Sequence, residues 1–172
     1  MTERTSSHFV MPPKASRPYM PGYLADGAGG TLPWAWAEHR LVNSSAYWIG
    51  TVRPDGRPHS SPVWGVWFDD TFWCSFDQTS IKARNIAKNP SVVVTNDDPW
   101  EQVVLEGRAE RVRSRDDVVR YVDAEREKYG ERWNEEAFTV DFFAAGTYKV
   151  TPVSVFALEE KTFGSSPTRW TF

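Results

Sequence analysis

The chain has a single cysteine, Cys74, among 172 residues. It therefore cannot form a disulfide within itself, and its thiol content does not point to an oxidising compartment. No stretch approaches the ~18 consecutive apolar residues that a membrane-spanning helix needs, and the first residues lack the apolar centre of an export signal. A soluble, cytoplasmic protein is expected. An excess of one charge is also missing, because 20 Lys+Arg stand against 23 Asp+Glu for a formal net charge of −3. That balance argues against a nucleic-acid groove or an anionic membrane as the main partner, so any anion site must be local. Histidine is scarce, and His39 and His59 have no second His or Cys at metal-ligand spacing, so no zinc centre is expected. Neither a Ser/His/Asp order nor a Walker-type glycine loop is present, and Gly27-Ala28-Gly29-Gly30 is too short and follows no strand.

What the chain has in excess is tryptophan, with nine residues. Trp buries a large area and carries an N–H that needs a partner, so this enrichment points to an aromatic core, an interface or a planar ligand. Residues 1–30 are rich in Pro and Gly and read as an extended or partly ordered N-terminal arm, which leaves 31–172 as one domain. Trp34, Ala37 and Leu41 recur at helical spacing after Pro33, with Thr31 as a candidate cap.

Six strands are then predicted, at 46–53, 58–68, 71–76, 91–95, 102–112 and 147–158. Pro54-Asp55-Gly56 and Asp69-Asp70 serve as turns, and Pro62 implies an edge or bulge. Helices are expected from Ser80 to Lys88, from Ser114 to Gly130 and, shorter and aromatic, from Asn134 to Phe143. Residues 123–128 read as a solvated helix face and the end of the chain as a polar tail carrying Trp170. Trp34, Trp36 and Trp170 are candidates to cover a ligand or a subunit seam. Strands that do not alternate with helices argue against a doubly wound parallel sheet and for a small antiparallel barrel with helices attached.

The segment richest in chemistry is Ser80-Ile81-Lys82-Ala83-Arg84-Asn85-Ile86, which sets two cations in the first turns of a predicted helix. The helix dipole disfavours cations at that end by a few tenths to about 1 kcal/mol each, and a bound phosphate would relieve this through the Ser80 hydroxyl, free helix N–H groups and a cation. Lys82 and Arg84 point about 200° apart, so the two need not reach the same oxygen.

This helix start follows Arg57-Pro58-His59-Ser60-Ser61-Pro62-Val63-Trp64 and Phe72-Trp73-Cys74-Ser75, and Glu101-Gln102-Val103-Val104-Leu105-Glu106-Gly107-Arg108 comes after it. In that order the residues from about 45 to 112 resemble the pyridoxamine 5′-phosphate oxidase-like superfamily. The resemblance implies a mainly β fold, a six-stranded antiparallel split β-barrel, homodimeric and FMN-binding-protein-like, with two cofactor sites at the subunit interface. It maps cofactor contacts onto Ser61, Pro62, Val63 and Trp64 of one strand, and onto Cys74, Ser75 and Phe76 of the next. Phosphate contacts fall on Ser80 and Lys82, further contacts on Arg84 and Asn85, and a flavin contact on Gln102. Ser61 and Ile81 stand where the true oxidases carry Arg, and Pro62-Val63-Trp64 is similar to the B-type flavin/deazaflavin oxidoreductases. The implied cofactor is thus coenzyme F420, with FMN as the alternative, and the implied reaction is hydride transfer to an unsaturated organic substrate. The motif fixes no catalytic side chain or proton donor. A non-catalytic cofactor-binding protein, an interaction protein, and a haem protein using His59 are the competing readings.

Overall fold

The structure, a computed structural model, describes residues 12–23, 29–132 and 139–172. Among these the chain forms strands β1 (Lys14–Ser16), β2 (Tyr47–Val52), β3 (Pro58–Val63), β4 (Gly65–Phe68), β5 (Thr71–Ser75), β6 (Ser91–Asn96), β7 (Glu101–Arg111), β8 (Thr147–Glu159) and β9 (Thr168–Thr171). The helices are α1 (Trp34–Asn43), α2 (Ile81–Lys88), α3 (Arg115–Tyr129) and α4 (Val140–Ala144).

All pairings are antiparallel, and the main path runs β1-β9-β8-β7-β6-β2-β3. β8 is long enough to serve two partners on one side: residues 147–150 pair with β5 and residues 154–157 with β9. β5 in turn pairs with β4, which continues from β3 across Trp64. The chain itself joins the two ends of the sheet at that residue and closes the barrel.

The six expected strands are all present. The second is divided at Trp64, and two short strands are added, β1 at the edge of the sheet and β9 between β1 and β8. β1 lies inside the expected arm and pairs with β9; residues 1–11 and 24–28 of that arm fall outside the described residues. The end of the chain is a strand and not a polar tail. Trp170 on β9 is 1% exposed and meets Trp34 edge to face, with ring centroids 5.5 Å apart, so both rings belong to the core instead of covering a ligand or a seam. Strand alternation turns Trp170 inward, and Trp34 lies with Ala37 and Leu41 on the buried stripe of α1.

Local chemistry explains the element ends. The Ser80 and Ser114 hydroxyls accept from the Ala83 and Asp117 N–H groups, capping α2 and α3 as expected. Thr31 does not cap α1, because Pro33 occupies the N-cap position there and supplies no side-chain bond. Asp69 and Asp70 both adopt left-handed φ (50° and 55°), the geometry of a two-residue hairpin whose twist matches the flanking strands. Arg120 of α3 pairs with the Asp69 carboxylate. Pro62 sits on β3, the last strand of the main path, where its missing N–H costs no ladder bond. Of the predicted aromatic helix, residues 134–138 lie outside the described residues, and α4 begins at Val140 with Thr139 as its cap.

Two apolar clusters result. One fills the barrel with residues such as Ile49, Phe72, Cys74, Leu105, Val150 and Trp170, and the other packs Val66 and Trp73 under Val118, Tyr121, Val122 and Tyr129 of α3. β5 lies between them, Phe72 and Cys74 turning into the barrel and Trp73 toward α3, as strand alternation requires. Burying each large side chain of the α3 stripe contributes about 1.5–3 kcal/mol, enough to fix the helix across the β4–β5 hairpin.

Candidate functional site

The site is built around the break in the ladder at Trp64. The next residue, Gly65, begins β4 and is held from α3: its N–H donates to the Tyr129 hydroxyl (3.2 Å), while its carbonyl accepts from that hydroxyl (2.9 Å) and from Lys128 Nζ (3.0 Å). Peptide groups buried at a break need such partners. A Cβ on Gly65 would lie 2.4 Å from the Phe72 ring and 2.6 Å from the Trp73 carbonyl, so a glycine is required for this approach. Trp64 itself stays 53% exposed.

A cavity of about 560 Å³ opens where the end of β5 faces α3 and α4. Its walls are aromatic, from Trp64, Phe76, Tyr121, Tyr129, Phe142 and Phe143, and residues 75–79 line it on the way to the Ser80 cap of α2. Gly146 permits this closeness, since a Cβ there would lie 2.3 Å from the Phe76 carbonyl. The Phe76 ring stacks on Tyr148, with centroids 4.4 Å apart, and Lys82 Nζ lies 5.0 Å from its centre. Lys82 makes no ion pair among the described residues, and the first turn of α2 contains no acidic residue.

Glu125 also lines the cavity, although it is only 3% exposed. Its Oε1 accepts from the Tyr121 hydroxyl at 2.6 Å. Burial raises its carboxyl to about 7, against the opposing pull of that hydrogen bond and of the Lys128 cation. Lys128 is pushed down to about 8 by burial, against the attraction of Glu125 and Asp97, and its Nζ also donates to the Tyr47 hydroxyl at 2.7 Å. Burial moves the Tyr129 phenol up to about 12 and the Tyr121 phenol well above its ordinary value.

The sequence-predicted residues distribute unevenly around this cavity. Trp64, Ser75 and Phe76 line it, and Ser80 and Lys82 follow directly on α2. Val63 and Cys74 are in the barrel core, and burial pushes the Cys74 thiol far up, which leaves it a protonated, inert group. Asn85 is buried and donates to Thr51 Oγ1 at 2.9 Å, Arg84 is exposed, and Pro62 is exposed on the edge strand. The Ser61 hydroxyl is buried without a protein partner. Gln102 lies at the opposite end of β7: Arg111 and Cys74 both pair with Tyr148, whereas Gln102 pairs with Leu158, a distance along the strand on the order of 30 Å.

Residues 123–128 are not uniformly a solvated face, because Glu125 is buried and Lys128 half-buried. Glu125 falls four residues after Tyr121 and four before Tyr129, on the apolar stripe of α3, and that placement was the available signal. No group of three or more His, Cys, Asp or Glu among the described residues could hold a metal ion, and no described helix is long and apolar enough to cross a membrane. His59 does not line the cavity; its Nδ1 is 3.5 Å from Thr51 Oγ1.

An antiparallel sheet closed by its own chain at Trp64, with a ligand-sized aromatic cavity at that closure, defines a small split β-barrel protein. The family profile described as Pyridoxamine 5'-phosphate oxidase matches residues 37–158, and the chain belongs to that family. Among solved structures, it is similar to the conserved hypothetical protein Rv2991 from Mycobacterium tuberculosis, at 22% identity and TM-score 0.68 over 77% of this chain and 88% of that one. It is similar to an F420 reductase at 24% identity and TM-score 0.55, over 69% of this chain and 94% of that one. The heme storage protein HutZ from Vibrio cholerae shares the fold at 16% identity and TM-score 0.53, over 69% and 86% of the two chains. No curated protein matches the chain. At these identities the solved structures speak for the fold, which hosts more than one ligand chemistry.

Proposed function

We propose that this protein is an oxidoreductase that binds coenzyme F420 and passes a hydride between it and an unsaturated organic substrate, acting as a homodimer. The observation that carries this reading is the convergence of Trp64, Ser75 and Phe76 on one aromatic cavity, next to a serine-capped helix whose Lys82 has no ion-pair partner among the described residues. These groups fit a planar ring with an anionic tail: aromatic faces take the ring, while the α2 N-terminus and Lys82 take a phosphate. The cofactor supplies the hydride chemistry when bound. The chain's part is to hold the ring beside Trp64 and Phe76, anchor the phosphate and exclude water from the reacting face.

F420 is placed ahead of FMN because Ser61 and Ile81 leave the site without two arginines that the resemblance assigns to FMN phosphate, and an F420 reductase shares the fold. FMN is the second reading. A homodimer is favoured by the outward face of β2 and β6, where Trp48, Val52 and Val93 are 47%, 38% and 36% exposed. Because Gln102 lies at the far end of β7 from the cavity, its contact with the ring is assigned to the second copy of the dimer.

The test is a fluorescence titration of the purified protein with F420 and, separately, FMN, with Lys82→Ala in parallel. Saturable F420 binding, weakened about tenfold to a hundredfold in the variant through loss of a charge-assisted hydrogen bond, supports the reading. Tighter FMN binding exchanges the cofactor. Binding of neither overturns the proposal.

A further inference from the structure

Among the described residues, Glu125 is the one carboxyl that lines the aromatic cavity from inside the fold; Asp77, which lines it too, is exposed. An ionisable group is costly to keep at such a place unless it is paired or neutral. No carboxylate–cation contact within ion-pair distance reaches Glu125 among the described residues, and Lys128, three residues on, directs its Nζ to Tyr47 and the Gly65 carbonyl instead. The groups that bear on Glu125 are Tyr121, Lys128 and Tyr129 of α3, Cys74 of β5 and Tyr47 of β2, with Asp97 acting on Lys128 from beyond β6. None is a carboxylate in contact with it, and the Tyr121 hydroxyl holds one oxygen while the other is free of hydrogen bonds among the described residues. This geometry leaves an oriented carboxylic acid facing an apolar space large enough for a small conjugated molecule.

We propose that the part of this cavity at Glu125 and Tyr121, next to the place of the ring beside Trp64 and Phe76, binds the hydride acceptor as a planar, uncharged, conjugated molecule with a hydrogen-bond-accepting oxygen, and that Glu125 is the catalytic acid that protonates it, with Tyr121 as its positioning residue. The proposal rests on the oxidoreductase reading. For a conjugated ketone, a hydride from the reduced deazaflavin or flavin arrives at the β-carbon and the C=C electrons shift toward the carbonyl oxygen. The Glu125 O–H bond breaks as the O–H bond on that oxygen forms. The resulting enol becomes the saturated ketone in water, Glu125 regains a proton from water, and the oxidised cofactor releases its remaining proton to solvent. The acceptor gains two electrons and the cofactor loses two. Burial that keeps Glu125 protonated up to about 7 suits this task, since a general acid works best with its pKa near the working pH.

The experiment uses the full chain in two forms. In cofactor-free protein, benzylideneacetone is titrated at several pH values while quenching of the tryptophan fluorescence is followed, with Trp64→Phe in parallel to isolate the part that comes from Trp64. The proposal expects tighter binding as pH falls through about 7 in the wild type, loss of binding in Glu125→Leu, and pH-independent binding in Glu125→Gln, whose amide still donates a hydrogen bond. Binding that strengthens as pH rises would show a site for a cation and overturn the proposal. In cofactor-loaded protein, Glu125→Gln is expected to bind the probe within about threefold of wild type and to turn over about 10²–10⁴-fold more slowly. Normal cofactor binding with unchanged turnover in Glu125→Gln overturns the role of Glu125 and leaves the oxidoreductase reading standing. Absence of F420 and FMN binding, with the expected pH-dependent probe binding, overturns the oxidoreductase reading and with it the proton-transfer role, and leaves the cavity assignment.

Discussion

Replacing Glu125 with Gln is expected to make the protein more stable at pH 8 and to leave it unchanged near pH 4.5. In the folded chain the carboxyl is raised from 4.5 to about 7, chiefly by burial. Below about 4.5 the folded and unfolded states both hold the proton, and above about 7 neither does. Between these values the unfolded chain gives up its proton first, so wild-type stability falls as pH rises. Carried across that window, the difference costs the folded state about 3 kcal/mol by pH 8. Lys128 does not obscure the effect. Its amine is lowered from 10.5 to about 8, so its contribution is flat below 8 and rises only above it. Gln keeps the acceptor that Tyr121 uses and carries no charge to desolvate. Urea unfolding at pH 5 and pH 8 should show the wild type losing most of those ~3 kcal/mol while the variant changes little, equivalent to about 6–12 °C in melting temperature for a chain of this size. Parallel pH profiles for the two proteins would refute the burial of an uncompensated carboxyl.

Gly65→Ala should destabilise by about 1–3 kcal/mol or more, because the new methyl meets the Phe72 ring and the Trp73 carbonyl at 2.4 and 2.6 Å; thermal melting checks it. Trp170→Ala should cost about 3–5 kcal/mol in chemical denaturation, whereas Trp100→Ala, at a position 66% exposed, should stay within about 0.5 kcal/mol. Trp48→Glu places a charge on the outward face of β2 and should shift the protein from dimer to monomer in analytical ultracentrifugation with its circular dichroism unchanged; a dimer that persists moves the subunit contact elsewhere.

The barrel was legible because its signals are local. Alternating apolar residues, the Asp69-Asp70 turn and the serine caps of α2 and α3 each dictate structure within a few positions. The division at Trp64 was not legible, because it depends on Tyr129 and Lys128 reaching across from α3 to satisfy Gly65. β9 escaped for a similar reason: its four residues owe their strand to pairing with β8 and β1 and not to their own pattern. At the site, the structure places the predicted residues of the β5 end and the α2 start next to one another. Of the other predicted residues, the Cys74 side chain lies in the core and the Asn85 amide donates to Thr51 Oγ1, placements set by the three-dimensional packing. Glu125 is not among the predicted residues, because a charged residue among Asp, Arg and Lys reads as surface until its place on the α3 stripe is weighed.

The most direct measurement is a crystal structure of the protein soaked with coenzyme F420. The expected result is a homodimer with the deazaflavin ring beside Trp64 and Phe76, a phosphate at Ser80 and Lys82, and Gln102 supplied by the second copy. A ring bound elsewhere on the barrel, or a haem held by His59 in protein purified from cells, would contradict it.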